Sequence, residues 1–128
     1  MGKSVLQMWA EATEKVETIN PAQLVEEIET GDVLLLDVRL PTEIERRGRI
    51  KVAVPVPRQV VEWWADPESP YFRSDGVFGD FDQRIVTVCD GGGNGTFTAV
   101  TRPILLWNQA GTASIALADI TSMCRTAA

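Results

Sequence analysis

Residues 85–95, Ile-Val-Thr-Val-Cys-Asp-Gly-Gly-Gly-Asn-Gly, constrain this chain more than any other stretch. Ile85 to Val88 is β-branched and mostly apolar, which predicts a strand covered on both faces. The run delivers Cys89 to a loop, Asp90 to Gly95, that contains four glycines. A second run of the same kind, Val33-Leu34-Leu35-Leu36, ends in Asp37-Val38-Arg39. Strands that turn from apolar to polar at their carboxyl ends belong in an open parallel sheet, whose ligands gather at that edge. A thiol placed there, beside backbone N–H groups and a helix start, is where a thiolate is stabilised. Glycines in the loop let backbone amides approach a ligand or take positive φ.

Helical segments alternate with these strands. Val5, Leu6, Met8, Trp9, Ala12 and Val16 form a helical stripe over Ser4–Thr18, an amphipathic helix that covers the domain. Asn20 is an N-cap with Pro21 in the first turn, Leu24, Val25 and Ile28 are the buried face, and Gly31 is the C-cap. Thr42–Arg47 predicts a short polar helix closed by Gly48, with Glu45-Arg46-Arg47 as a solvated face. Val52-Ala53-Val54 is expected as a short strand stopped by Pro55 and Pro57, which cannot donate to a ladder. Gln59–Ala65 reads as a helix, its Trp63 and Trp64 in the core together with Trp9 and Trp107. Asp66–Asp82 is an irregular excursion rich in Pro, Gly, Ser and Asp. Pro103 predicts a helix that begins near Arg102, runs over Ile104–Ala110 and ends at Gly111, leaving Asp90–Thr101 as an extended loop. Ser114–Ala118 is the last strand. The alternation implies an α/β fold: a small parallel β-sheet flanked by helices on both faces. The expected organisation is a covering helix over 1–18, one domain over 19–119 and a tail over 120–128.

Composition removes several function classes. Histidine is absent, which excludes Ser-His-Asp and Cys-His catalysis and the commonest metal ligand, so neither metal nor cofactor is expected. A net charge of −6 with no basic cluster argues against nucleic acid. No apolar run approaches the roughly 18 residues of a membrane span, and the N-terminus lacks a signal peptide and a myristoylation pattern. Cys89 and Cys124 form neither a CxxC pair nor a disulfide framework, so a reduced, cytoplasmic protein is expected. Cys124 reads as an incidental thiol. The glycine run is not followed by lysine and is no P-loop.

The residues quoted so far also resemble a family. Ile19-Asn20-Pro21-Ala22-Gln23-Leu24, followed by Val33-Leu34-Leu35-Leu36-Asp37-Val38-Arg39-Leu40-Pro41-Thr42-Glu43, resembles the opening of a rhodanese domain. Gly48-Arg49-Ile50 with Val54-Pro55-Val56-Pro57 is similar to its second strand, and Arg84 to Cys89 to its active-site strand. Ala110-Gly111 with Ser114-Ile115-Ala116-Leu117 is similar to its last helix turn and strand, so the resemblance covers roughly residues 19–119. It implies a sulfurtransferase that carries sulfane sulfur as a persulfide on Cys89. The donor would be a small anion such as thiosulfate, and the acceptor a thiol or cyanide. Asp90, Gly91, Gly92, Gly93, Asn94, Gly95 and Thr96 would cradle the anion through backbone N–H groups. Asp37 would lie near the loop, Arg58 would border the pocket, and Arg39 and Glu43 would form a structural ion pair.

The chain also departs from the family's pattern. The position five residues after the cysteine, where the family usually has arginine, is Asn94. The usual Gly-Ala before the second strand reads Val52-Ala53. After Asp119 the chain has neither the usual Gly-Gly turn nor the Trp-bearing helix. Asp90 disfavours a neighbouring thiolate and repels anionic donors. Without the loop arginine a bidentate anion clamp is lost, although Arg102 could replace it by folding back. The departures keep open a rhodanese-like binding or regulatory module without catalysis. A Cys-based phosphatase or arsenate reductase, which also pairs a cysteine with an oxyanion-cradling loop, is a third alternative that the missing loop arginine disfavours. The same Cys89 could also be a small buried hydrophobe. The short C-terminus makes a homodimer an expectation, its exposed apolar face covered by a second copy.

Overall fold

The architecture, a computed structural model, describes residues 2–31, 33–78, 84–91, 93–101, 112–116 and 125–126. Ser4 starts helix α1 (Val5–Lys15) through a capping box: its hydroxyl accepts from Gln7 N at 3.2 Å, and its own N–H donates to Gln7 Oε1 at 2.7 Å. The helix ends at Lys15, short of the expected Thr18, because Glu17–Thr18 forms a strand, β1, that joins the sheet. A sheet partner for the backbone outweighed the helical stripe. Asn20 repeats the capping box with Gln23 and opens α2 (Pro21–Thr30), which Gly31 closes in the left-handed region at φ 81°.

Strand β2 (Val33–Asp37) follows, then α3 (Pro41–Arg47) with Gly48 at φ 88°. Arg49–Ile50 is β3 and Val54–Pro55 is β4, so the strand expected at Val52–Val54 lies further along the chain. Residues 51 and 52 are a turn between the two. Proline is tolerated in β4 because this strand is the sheet's edge. A single 3-10 turn, Arg58–Val60, leads into α4 (Val61–Ala65). Turns fill residues 67–71 and 74–78, in keeping with the predicted excursion.

Strand β5 (Arg84–Cys89) runs directly to α5 (Gly93–Thr101). The long loop expected over Asp90–Thr101 is therefore mostly helix. Glycine is a poor helix former in general, but here it occupies only the first turn of the helix. The helix expected over Ile104–Ala110 lies outside the described residues, as do Arg102, Trp107 and Cys124. The last described strands are β6 (Thr112–Ala116), two residues earlier than expected, and β7 (Arg125–Thr126).

The sheet has the order β1-β6-β5-β2-β4, and each neighbouring pair runs parallel. Strand β7 pairs antiparallel with β3 in a separate ribbon. Alternate residues of the central strands divide between two cores. Leu35, Val86 and Val88 pack with Ile19, Leu24, Ile50 and Ala53 on one face. Leu34, Leu36, Ile85 and Cys89 pack with Val38, Val56, Val61, Ala65 and Phe78 on the other. Helix α2 thus covers the first face and α4 the second. This is the expected parallel sheet with helices on both faces. No helix among the described residues is long and apolar enough to cross a membrane.

Candidate active site

Parallel pairing brings several strand ends to one edge. Asp37 is in register with Val88 on one side and Pro55 on the other. The backbone continues this stitching beyond the strands. Val38 N–H donates to Val88 O at 3.0 Å, Val56 N–H to Asp37 O at 2.9 Å, and Arg58 N–H to Val38 O at 3.3 Å. The segment after β2 therefore holds the Cys89 turn on one side and the Arg58 turn on the other.

Cys89 is the last residue of β5 and is 4% exposed. Gly95 N–H, in the first turn of α5, donates to its sulfur at 3.3 Å. The thiol thus lies against the amino end of a helix, where unpaired N–H groups and the helix dipole favour negative charge. One residue pair fixes that approach. Thr87 Oγ1 donates to Gly95 O at 2.7 Å, and a Cβ at position 95 would stand 3.4 Å from both Thr87 O and Oγ1. That is ordinary van der Waals contact, so the Thr87 hydrogen bond, not a lack of room for a side chain, seats α5 on β5. Positive φ occurs at Gly31, Gly48 and Gly76, not at the described glycines of the loop.

Arginine geometry differs from expectation. Arg39 is 1% exposed and pairs with Asp37, with Nη2 to Oδ2 at 2.7 Å and Nε to Oδ1 at 2.9 Å; Nη2 also donates to Gly48 O at 3.1 Å. The ion pair expected between Arg39 and Glu43 is corrected accordingly. Two residues along an extended backbone, Asp37 meets Arg39 inside the fold, whereas Glu43 sits in the first turn of α3 and acts on Arg39 only through its charge. The hydrogen bond to Asp37 holds the Arg39 guanidinium above its ordinary range against the opposing effect of burial. Asp37, 2% exposed, gives its carboxylate to this pair instead of facing a ligand.

Of the remaining predicted residues, Arg58 and Asn94 converge. Arg58 Nη1 donates to Asn94 Oδ1 at 2.9 Å, and its guanidinium carbon stands 4.8 Å from the centre of the Phe97 ring. Arg58 and Asn94, with Val38, Leu40, Glu43, Gln59 and Glu62, line a pocket of about 490 Å³. Asp90, a third exposed at its side chain, is 3.3 Å from Arg47 Nη1. Gly91 is exposed, Thr96 is buried, and Gly92 lies outside the described residues.

Sequence reasoning did not assign Thr87, Arg47, Leu40, Gln59 or Glu62 to this region. A signal existed for Thr87, since a hydroxyl inside a buried apolar strand must find an acceptor. Arg47, read as part of a solvated face, carried none. Of the tryptophans, Trp64 packs against the α4-side core and lines a second pocket with Pro55, Tyr71 and Arg73. Trp63 is instead exposed and meets Tyr71 edge to face at 5.8 Å, and Trp9 is also on the surface.

Comparison with known proteins places this geometry. The model of the rhodanese-like domain matches residues 20–118. A Rhodopseudomonas palustris structure described as a possible tyrosine phosphatase is 30% identical, with a TM-score of 0.79 over 91% of this chain and 86% of its own. A rhodanese-related protein from Thermoplasma volcanium has 19% identity and a TM-score of 0.62, covering 88% of this chain and 99% of its own. A human single-domain sulfurtransferase has 20% identity and a TM-score of 0.61, covering 79% and 89%. The last two likenesses concern the fold. No curated protein sequence matches the chain.

Proposed function

The chain belongs to the rhodanese-like domain family, and from that premise we propose that it is a sulfurtransferase that carries sulfane sulfur on Cys89. The observation that carries the reading is the Gly95 N–H on the Cys89 sulfur at 3.3 Å, at the start of α5. The Cys89 thiolate attacks the outer sulfur of thiosulfate, forming a new S–S bond. The S–SO3 bond breaks, and sulfite leaves with its electron pair. The persulfide anion that remains on Cys89 is held by the same helix end. Cyanide or an acceptor thiolate then takes the terminal sulfur and returns the Cys89 thiolate. The described N–H groups at Gly91, Asn94, Gly95 and Thr96 form the cradle, Asp90 flanks it, and no cofactor takes part. The reducing, cytoplasmic setting and the homodimer expected from the sequence belong to this proposal.

Intact-protein mass spectrometry after incubation with excess thiosulfate tests the reading. The expected result is a gain of one sulfur atom that cyanide removes, absent from Cys89→Ser. No gain in folded protein contradicts it and leaves a non-catalytic binding module. A second reading, phosphate-ester hydrolysis through a phosphocysteine, is favoured by the 30% identity to a protein described as a possible tyrosine phosphatase. Against it, residues 90–101 contain no arginine to clamp the phosphoryl group. Cys89-dependent hydrolysis of p-nitrophenyl phosphate without sulfur uptake would decide for this second reading.

A further inference from the structure

Position 94, where the family's loop arginine is expected, holds an asparagine that is bonded to an arginine. We infer that the missing cation is supplied from the other side of the pocket: Arg58, held by Asn94, grips the oxyanion end of the sulfur donor, and Asn94 is its positioning residue.

Three observations carry this. Arg58 is exposed but anchored, its backbone N–H on Val38 O at 3.3 Å and its Nη1 on Asn94 Oδ1 at 2.9 Å. Its guanidinium carbon also lies over the Phe97 ring, 4.8 Å from the centroid. Above all, its charge is not matched by a protein carboxylate. Arg39, Arg47, Arg73 and Arg84 each pair with an aspartate or glutamate, with N–O distances of 2.7–3.3 Å. Among the described residues Arg46, Arg49 and Arg58 have no such partner, and of these three Arg58 alone lines the pocket, beside Glu43 and Glu62. A neutral amide holds the guanidinium through one nitrogen, which leaves the other donors to the ligand.

The location fits the chemistry. Asn94 immediately precedes Gly95, whose N–H meets the Cys89 sulfur. An arginine fixed to Asn94 therefore stands beside the thiol's turn without belonging to it. The outer sulfur of thiosulfate must reach Cys89 while its sulfonate end remains in the pocket. A guanidinium there binds that end through paired N–H donors and stabilises the departing sulfite. Arg47, against Asp90 at 3.3 Å, offsets the one carboxylate directly next to the thiol.

This inference rests on the sulfurtransfer reading, and its test separates the two. Thiosulfate binding is measured by calorimetry on Cys89→Ser, which cannot take up sulfur, with and without Arg58→Ala, and again with Arg58→Lys and Asn94→Ala. A lost charge-assisted contact predicts about tenfold to a hundredfold weaker binding for Arg58→Ala. Arg58→Lys should recover part of the affinity, and Asn94→Ala should lose less than Arg58→Ala. In the Cys89 protein, Arg58→Ala should raise KM for thiosulfate by a similar factor. Arg58→Ala combined with Asn94→Arg should bring it back down, a rescue that a merely structural arginine would not show. Equal affinity with and without Arg58, or no binding to Cys89→Ser at all, overturns the inference. Arg58-dependent binding in a protein that never gains sulfur would instead retain the anion site and remove sulfurtransfer. Persulfide formation indifferent to Arg58 would do the reverse.

Discussion

Two arginines at the same sheet edge show opposite solutions to burying or exposing a charge. Arg39 is 1% exposed, closed in a bidentate pair with Asp37 and bonded to Gly48 O. Arg58 is exposed, held by an amide and a ring, and faces a pocket. A buried charge must be satisfied by its own fold, because water cannot compensate it. An exposed charge can leave donors to a ligand at little cost to stability. Arg39 therefore fixes the turn after β2 on which both Cys89 and Arg58 are hung. Arg58 is available for recognition.

Breaking the buried pair should have the largest effect on the fold. Arg39→Ala leaves Asp37 as an uncompensated buried charge and should cost about 3–5 kcal/mol in denaturant unfolding. Replacing both with apolar residues of similar size should recover much of that loss, whereas Glu43→Gln should change stability by less than about 0.5 kcal/mol. A Glu43 variant as damaging as Arg39→Ala would restore the pairing first expected. Thr87→Val sharpens the comparison at the thiol's own turn. It removes the bond to Gly95 O and should cost about 1 kcal/mol. It should also slow sulfur uptake by Cys89, read in a single-turnover assay.

Smaller effects are expected at the surface. Arg58→Ala should leave unfolding free energy within about 0.5 kcal/mol of the parent, the converse of Arg39→Ala. Asp90→Asn should likewise be nearly neutral for stability. It should quicken alkylation of Cys89 by iodoacetate at low salt, an advantage that shrinks as salt is added. The smallest effect concerns Asp75, whose carboxyl is held below its ordinary 3.8 by the hydrogen bond from Arg73. A depressed folded value stabilises the fold at higher pH, and that contribution disappears as pH falls through it. The stability difference between wild type and Asp75→Asn should therefore narrow below pH 3.8; a difference that widens there contradicts the assignment.

Legibility followed locality. Asn20, Pro21 and Gly31 act within one turn of their own backbone, so the limits of α2 could be read from the sequence. The apolar runs of β2 and β5 also announced themselves, because strands buried on both faces have no alternation to hide. Helix α5 was obscured. Its Gly-Asn-Gly start disfavours a helix locally, and the hydrogen bond from Thr87 to Gly95 O that helps to hold its first turn is a tertiary contact. The same holds in the site. Cys89 and its glycines stood out by their composition, and the family resemblance pointed to Arg58. That Arg58 meets Asn94, 36 residues further on, depends on the parallel register of β2, β4 and β5. The Arg39–Glu43 pairing, which the family resemblance implied, gave way to a partner nearer in the chain. The helix begins at Pro41, and the extended Asp37–Arg39 segment pairs with itself.

The most direct test of the account is a count of transferable sulfur. Protein treated with thiosulfate and desalted is titrated with cyanide, and the thiocyanate released is measured per chain. The account predicts one equivalent from wild type and none from Cys89→Ser. Thiocyanate from both proteins, or from neither while wild type remains folded, would contradict it.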